Sequence, residues 1–175
     1  NYICMLIKGS TPIKEPLVSI GLILPIDKQE YVRITSKNNP DYEIKALENQ
    51  LLVNGEKSSK FNLRELKGES SYNIRPVTAG RGFHWQKQID ISIKGSITIK
   101  NIDGYLFLVN EVRMEDYLMS VATSEMGGEC PEALLEAQTI AARSWLMASE
   151  EQKHKDLGID ACNDDCCQRY QGIKN

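Results

Sequence analysis

A change of hydrophobic period near Asn110 constrains this chain more than any other feature. Up to Val109, short β-branched and aromatic runs are broken by Gly, Asn, Asp and Pro, and read as strands. They are Leu17 to Leu24, Tyr31 to Thr35, Tyr42 to Lys45, Leu51 to Val53, Tyr72 to Val77, Ile89 to Ile99 with a break at Gly95, and Tyr105 to Val109. Ile89, Ile91, Ile93, Ile97 and Ile99 alternate with polar residues, so one face of that hairpin is buried and the other is wet. Val53-Asn54-Gly55-Glu56 and Ile102-Asp103-Gly104-Tyr105 hold the Asn-Gly and Asp-Gly pairs that supply positive φ in tight hairpins.

After Asn110 the spacing becomes helical. Met114, Leu118 and Val121 share a side, and Glu115 and Asp116 sit in the first turn, where carboxylates suit the helix dipole. Gly127-Gly128 ends this short helix, and Pro131 opens a long one running to about Gln152. Ala137 to Ala148 is apolar nearly all round, which predicts a buried helix packed on several sides as the spine of the domain. The fold class expected is α+β: a strand-rich N-terminal part, a short helix and one long buried helix.

The 175 residues suffice for one domain with its own core, and 41% hydrophobic with 26% charged residues excludes disorder. With 21 basic and 24 acidic residues and no Lys/Arg block, nucleic acid is not an expected partner. No apolar run reaches the roughly eighteen residues of a membrane span. Tyr2 to Ile7 is too short an apolar run for a signal peptide, and a start at Asn1 suggests a piece of a longer protein.

Two constellations carry chemistry. Ser124-Glu125-Met126-Gly127-Gly128 puts a carboxylate at a helix end where two glycines turn the backbone away and leave room for a substrate. The ordinary reading is a solvated glutamate; the sharper one is a general acid. Glycoside hydrolysis commonly uses two carboxylates, and neither Asp116 nor Glu129 has a spacing that guarantees proximity to Glu125. A single carboxylate suffices if the substrate supplies its own nucleophile. Gln138 and Arg143 interrupt the long apolar helix and need partners if buried, either in the core or on a substrate; Trp85, in Phe83-His84-Trp85, fills a core or stacks on a sugar ring.

The second constellation is His154, Asp156, Cys162, Cys166 and Cys167. Three of the five cysteines fall within six positions, which suits a metal site of thiolates and imidazole as well as it suits a disulfide, for example to Cys130, with loose thiols. Four protein ligands leave no open position for water, so a metal there is structural.

Val109-Asn110-Glu111, Glu115-Asp116-Tyr117-Leu118, Ser124-Glu125-Met126, Ala137-Gln138-Thr139-Ile140-Ala141-Ala142-Arg143-Ser144-Trp145 and Cys167-Gln168-Arg169-Tyr170-Gln171-Gly172 resemble, in order and spacing, the SpoIID/LytB family. The likeness is specific from about Gly95 to Gly172. Phe83-His84-Trp85 resembles versions from Bacteroides-like bacteria, and residues 1–69 form a weakly matched strand-rich part before the core part at 70–175. The resemblance implies one domain, incomplete at its C-terminus, that acts as a peptidoglycan lytic transglycosylase in the cell envelope, exported to the periplasm or beyond. It makes Glu125 the acid/base that protonates the glycosidic oxygen and then takes the C6-hydroxyl proton of muramic acid, leaving a 1,6-anhydro end. Ser124, Gln138, Arg143 and Trp85 are the substrate-binding candidates. The alternative is a non-catalytic wall-binding module or amidase activator. Some members carry a zinc-binding H…C…H-C pattern; Cys162 and Cys167 fit it, Cys166 replaces the second histidine, and Asp156 stands where the first is expected, with His154 two residues earlier.

Overall fold

The computed structural model describes residues 14–36, 40–64, 71–148 and 153–173. Two antiparallel-dominated sheets and two helices make an α+β fold, as expected. The first sheet contains β1 (Leu17–Ile23), β6 (Phe61–Leu63), β9 (Ser96–Ile102), β10 (Tyr105–Arg113) and β11 (Ala161–Cys162), in the order β11-β1-β10-β9-β6. The second contains β2 (Tyr31–Ser36), β3 (Tyr42–Leu47), β4 (Gln50–Val53), β5 (Glu56–Ser58), β7 (Tyr72–Ala79) and β8 (Lys87–Ile93), in the order β5-β4-β3-β2-β7-β8.

Alternation builds both sheets. Val18, Ile20 and Leu22 of β1, Val32 and Ile34 of β2, Ile91 and Ile93 of β8, and Ile97 and Ile99 of β9 are all buried in one contiguous core fed by both sheets. Both anticipated hairpin turns form, with positive φ at Asn54 and Gly55 and again at Asp103 and Gly104. The expected Ile89 to Ile99 hairpin resolves differently. β8 pairs with β7 in one sheet and β9 with β10 in the other, so the chain changes sheets at Gly95. Asn110, fully buried, secures that corner by donating to the carbonyls of Lys94 (2.8 Å) and Ser96 (3.1 Å).

Helix α1 (Met114–Met126) buries Met114, Tyr117, Leu118, Ser120, Val121 and Ala122. Helix α2 (Glu132–Ala148) is not the buried spine its composition predicts. Only Ala142 is fully buried, while Leu134 is 45% and Ile140 62% exposed. α1 already covers the core with its own apolar stripe, so α2 packs on α1 and uses one side, with Leu146 and Met147 reaching the core edge. An all-round apolar pattern shows what a helix can bury, not how many neighbours it meets. Residues 149–152 lie outside the described residues, as does Cys4. No helix is long and apolar enough to cross a membrane among the described residues.

Candidate functional site

The last turn of α1 projects Glu125, partly buried, and Gly127 then turns the chain away with φ 83° while its N–H donates to the Thr123 carbonyl. A carboxylate there faces the unfavourable end of the helix dipole. Two N–H donors offset this: Gln138 Nε2 of α2 donates to Glu125 Oε2, and the backbone N–H of Arg169 donates to Oε1 at 3.1 Å. Ser124 Oγ accepts from the backbone N–H of Gln171 at 3.4 Å, so the helix end and the segment 168–171 are tied twice.

That segment is anchored from below. Tyr117 OH donates to Gln168 Oε1 (3.0 Å), Gln168 Nε2 donates to the Ala142 carbonyl (3.1 Å), Tyr170 OH donates to Asn110 Oδ1 (3.0 Å), and Ser120 Oγ donates to the Gly172 carbonyl (2.7 Å). Burial pushes both phenols up from their ordinary range, so Tyr117 and Tyr170 remain neutral donors.

Of the substrate candidates, the structure brings Gln138 and Ser124 to the Glu125 cluster. Trp85 joins through Arg169, whose guanidinium lies 5.1 Å from the indole centroid while pairing with Asp165 at 3.0 and 3.2 Å. Phe83, 48% exposed, stacks on Trp85 at 5.8 Å. Arg143 instead pairs with Glu115 at 2.5 Å on an exposed flank. Asp116 is held by Lys94 at 3.0 Å and Arg113 at 3.5 Å, and Glu129 is exposed.

The cysteine loop precedes this segment directly. The ligand atoms of His154, Cys162, Cys166 and Cys167 all lie within 4.8 Å of one another. Asp156 is exposed and does not belong to the group, because the short 3-10 turn Lys155–Leu157 directs His154 to the sulfurs instead. Among the described residues all four cysteines, Cys130 included, are free thiols. Sulfur atoms of Cys162 and Cys166 are 3.1 Å apart. Hydrogen bonds from the Cys162 and Cys167 thiols, followed by His154, draw the Cys166 thiol far below its usual range, while its bonds to Cys166 and Cys167 and its burial push Cys162 up. Donors 2.3 Å from one tetrahedral ion would be about 3.8 Å apart, close to this clustering, so a Cys3His metal site fits the residues present.

A buried ionic knot that gives no local sequence signal binds the cysteine loop to the aromatic loop. Arg81 Nε and Nη2 donate to Asp27 Oδ1 (2.5 Å) and Oδ2 (2.8 Å), and Nη1 donates to Asn163 Oδ1 (2.6 Å). Asp164 accepts from the backbone N–H groups of Gly80 (2.9 Å) and Arg81 (2.5 Å).

Compared with known proteins, residues 103–175 match the family model described as SpoIID, Stage II sporulation protein. This span contains Glu125, its two donors and the cysteine cluster. No curated protein and no solved structure matches the chain.

Proposed function

We propose, on the premise that residues 103–175 carry a SpoIID domain, that the chain is a peptidoglycan lytic transglycosylase with Glu125 as its acid/base. The observation that carries this reading is a carboxylate at the end of α1 with each oxygen held by an N–H donor, Gln138 Nε2 on one and the Arg169 backbone on the other. A two-carboxylate mechanism needs partners roughly 5 to 9.5 Å apart. Asp116, the nearest candidate on the same helix, is paired with Lys94 and Arg113. A single carboxyl suits a substrate that brings its own nucleophile. Glu125, as the acid, gives its proton to the glycosidic oxygen between MurNAc and GlcNAc, and the C1–O bond breaks with its electron pair on the leaving oxygen. As carboxylate it then takes the C6-hydroxyl proton while that oxygen bonds to C1, closing the 1,6-anhydro ring.

Gln138 bonds this carboxyl directly, Ser124 precedes it and ties the helix end to Gln171, Trp85 is linked to it only through Arg169, and Arg143 pairs with Glu115; these four are the substrate-binding candidates. His154, Cys162, Cys166 and Cys167 would hold a structural Zn2+, whose bonds cross-link the loop immediately before Gln168 and Arg169. Such an enzyme works outside the cytoplasm on glycan strands.

The test is incubation with peptidoglycan, with and without stem peptides, followed by mass spectrometry for anhydro-muramyl ends. Glu125→Gln should lower their formation by about a hundredfold or more. Undiminished product with Glu125→Gln would overturn the catalytic assignment. Wall binding or amidase stimulation without anhydro ends would favour a non-catalytic envelope module.

A further inference from the structure

We propose that Gln138 is a positioning residue whose side-chain amide turns between donor and acceptor as Glu125 loses and regains a proton carried on Oε2. This rests on the acid/base reading of Glu125. An acid/base must exist in two states at one position, and each state needs a different hydrogen-bond complement.

The two partners of the carboxyl differ in kind. Arg169 offers a backbone N–H, which can only donate, and its segment is pinned by Tyr117, Asn110 and Ser120 through Gln168, Tyr170 and Gly172. Oε1 therefore accepts in both states, since a proton placed there would point an O–H at an N–H. The mobile proton belongs on Oε2. That oxygen faces Gln138, an amide with a donor and an acceptor of nearly equal size on one terminal torsion. Facing the carboxylate, Nε2–H donates, as in the structure; facing the acid, half a turn presents Oε1 to accept the O–H. No volume changes and no helix moves.

In the reaction, the glycosidic oxygen replaces Gln138 Oε1 as acceptor of the Oε2 proton. After transfer, the carboxylate regains the Nε2–H donor, and the proton taken from the C6 hydroxyl returns Oε2 to the acid state. Charged and titratable groups around Glu125 among the described residues include Arg169, paired with Asp165 and also acted on by Asp164, and Tyr117 of α1, which burial keeps neutral. Neither side chain bonds to Oε2, so the adjustment falls to Gln138.

The experiment is NMR of the full chain with labelled glutamate carboxyls and glutamine side-chain amides, titrated between about pH 4 and 8. The Gln138 amide signals are expected to move with the same midpoint as the Glu125 carboxyl carbon, and to stay flat in Glu125→Gln. Gln138 signals that ignore Glu125 titration overturn the proposal. In parallel, Gln138→Met, similar in length but with no amide, is expected to lower kcat about tenfold to a hundredfold, with KM changed by less than about threefold. A raised KM with kcat intact would make Gln138 a substrate contact and overturn the positioning role. Circular dichroism checks that the variant is folded. If Glu125→Gln keeps full activity, the acid/base reading fails, while the amide titration still decides the coupling between the two side chains.

Discussion

The backbone N–H of Arg169 reaches Glu125 Oε1 across 44 residues of sequence, and the Arg169 side chain lies over Trp85. One residue thus couples the candidate acid/base to an aromatic loop that local sequence does not connect with it. Arg169→Ala keeps the backbone donor and removes the guanidinium.

Trp85→Ala and Arg169→Ala should therefore each weaken glycan-strand cleavage, and the double variant should lose less than the two losses combined. A cation–π contact of this kind couples by about 0.5 to 2 kcal/mol. A double-mutant cycle on the rate of anhydro-end formation measures it, and strict additivity would show that the two side chains act separately.

Arg81→Met should destabilise the fold by about 3 to 5 kcal/mol, because it leaves the Asp27 and Asp164 carboxylates buried beside no cation. Their side chains are only 2% and 3% exposed. Denaturant unfolding of the variant against the parent gives the figure, and a loss below about 1 kcal/mol would mean that water reaches the knot.

Purified protein should contain about one zinc per chain by elemental analysis, in keeping with one four-ligand site. Joint replacement of Cys162 and Cys167 by serine should remove it, whereas Asp156→Ala should not. A metal-free chain with Cys162 in a disulfide would refute the site.

Stability should fall at alkaline pH through Tyr117 and Tyr170. Burial raises both phenols in the folded chain, while the unfolded chain ionises them near pH 10. Below about pH 10 both states keep the protons and stability is unaffected by these groups; above it the unfolded state sheds them first, and each phenol costs up to about 1.4 kcal/mol per pH unit until the folded chain also ionises. Denaturation midpoints measured across this range should drop less steeply for Tyr117→Phe.

Local pattern revealed the strands that alternate and the turns that need positive φ. β1, β2 and β4 begin within a residue of expectation, and Asn54-Gly55 and Asp103-Gly104 turn as their chemistry requires. β5, β6 and β11 were not legible, being two or three residues long and made by their neighbours. Glu125 stood out only as a carboxylate before two glycines; its partners come from α2 and from residue 169, and a backbone N–H leaves no mark in side-chain identity. Gln138 was visible as a polar break in an apolar helix, but its choice of Glu125 is set by tertiary packing. Asp27 and Arg81 are 54 residues apart with unremarkable surroundings, so their pairing had no sequence signal.

β1 pairs with β10 on one side and β11 on the other, and Ser19 donates to Asp160 across 141 residues. Its sheet therefore depends on contacts that span most of the described chain, whereas β2 to β5 are joined to sequence neighbours. Closing such long loops is entropically slow, so the second sheet has the head start and β1 waits. Until Ala161 and Cys162 emerge during synthesis, one edge of an apolar first strand stays open to pairing with other chains. The short β11 is thus also a cap against aggregation, and its arrival completes the sheet edge and the thiol cluster together.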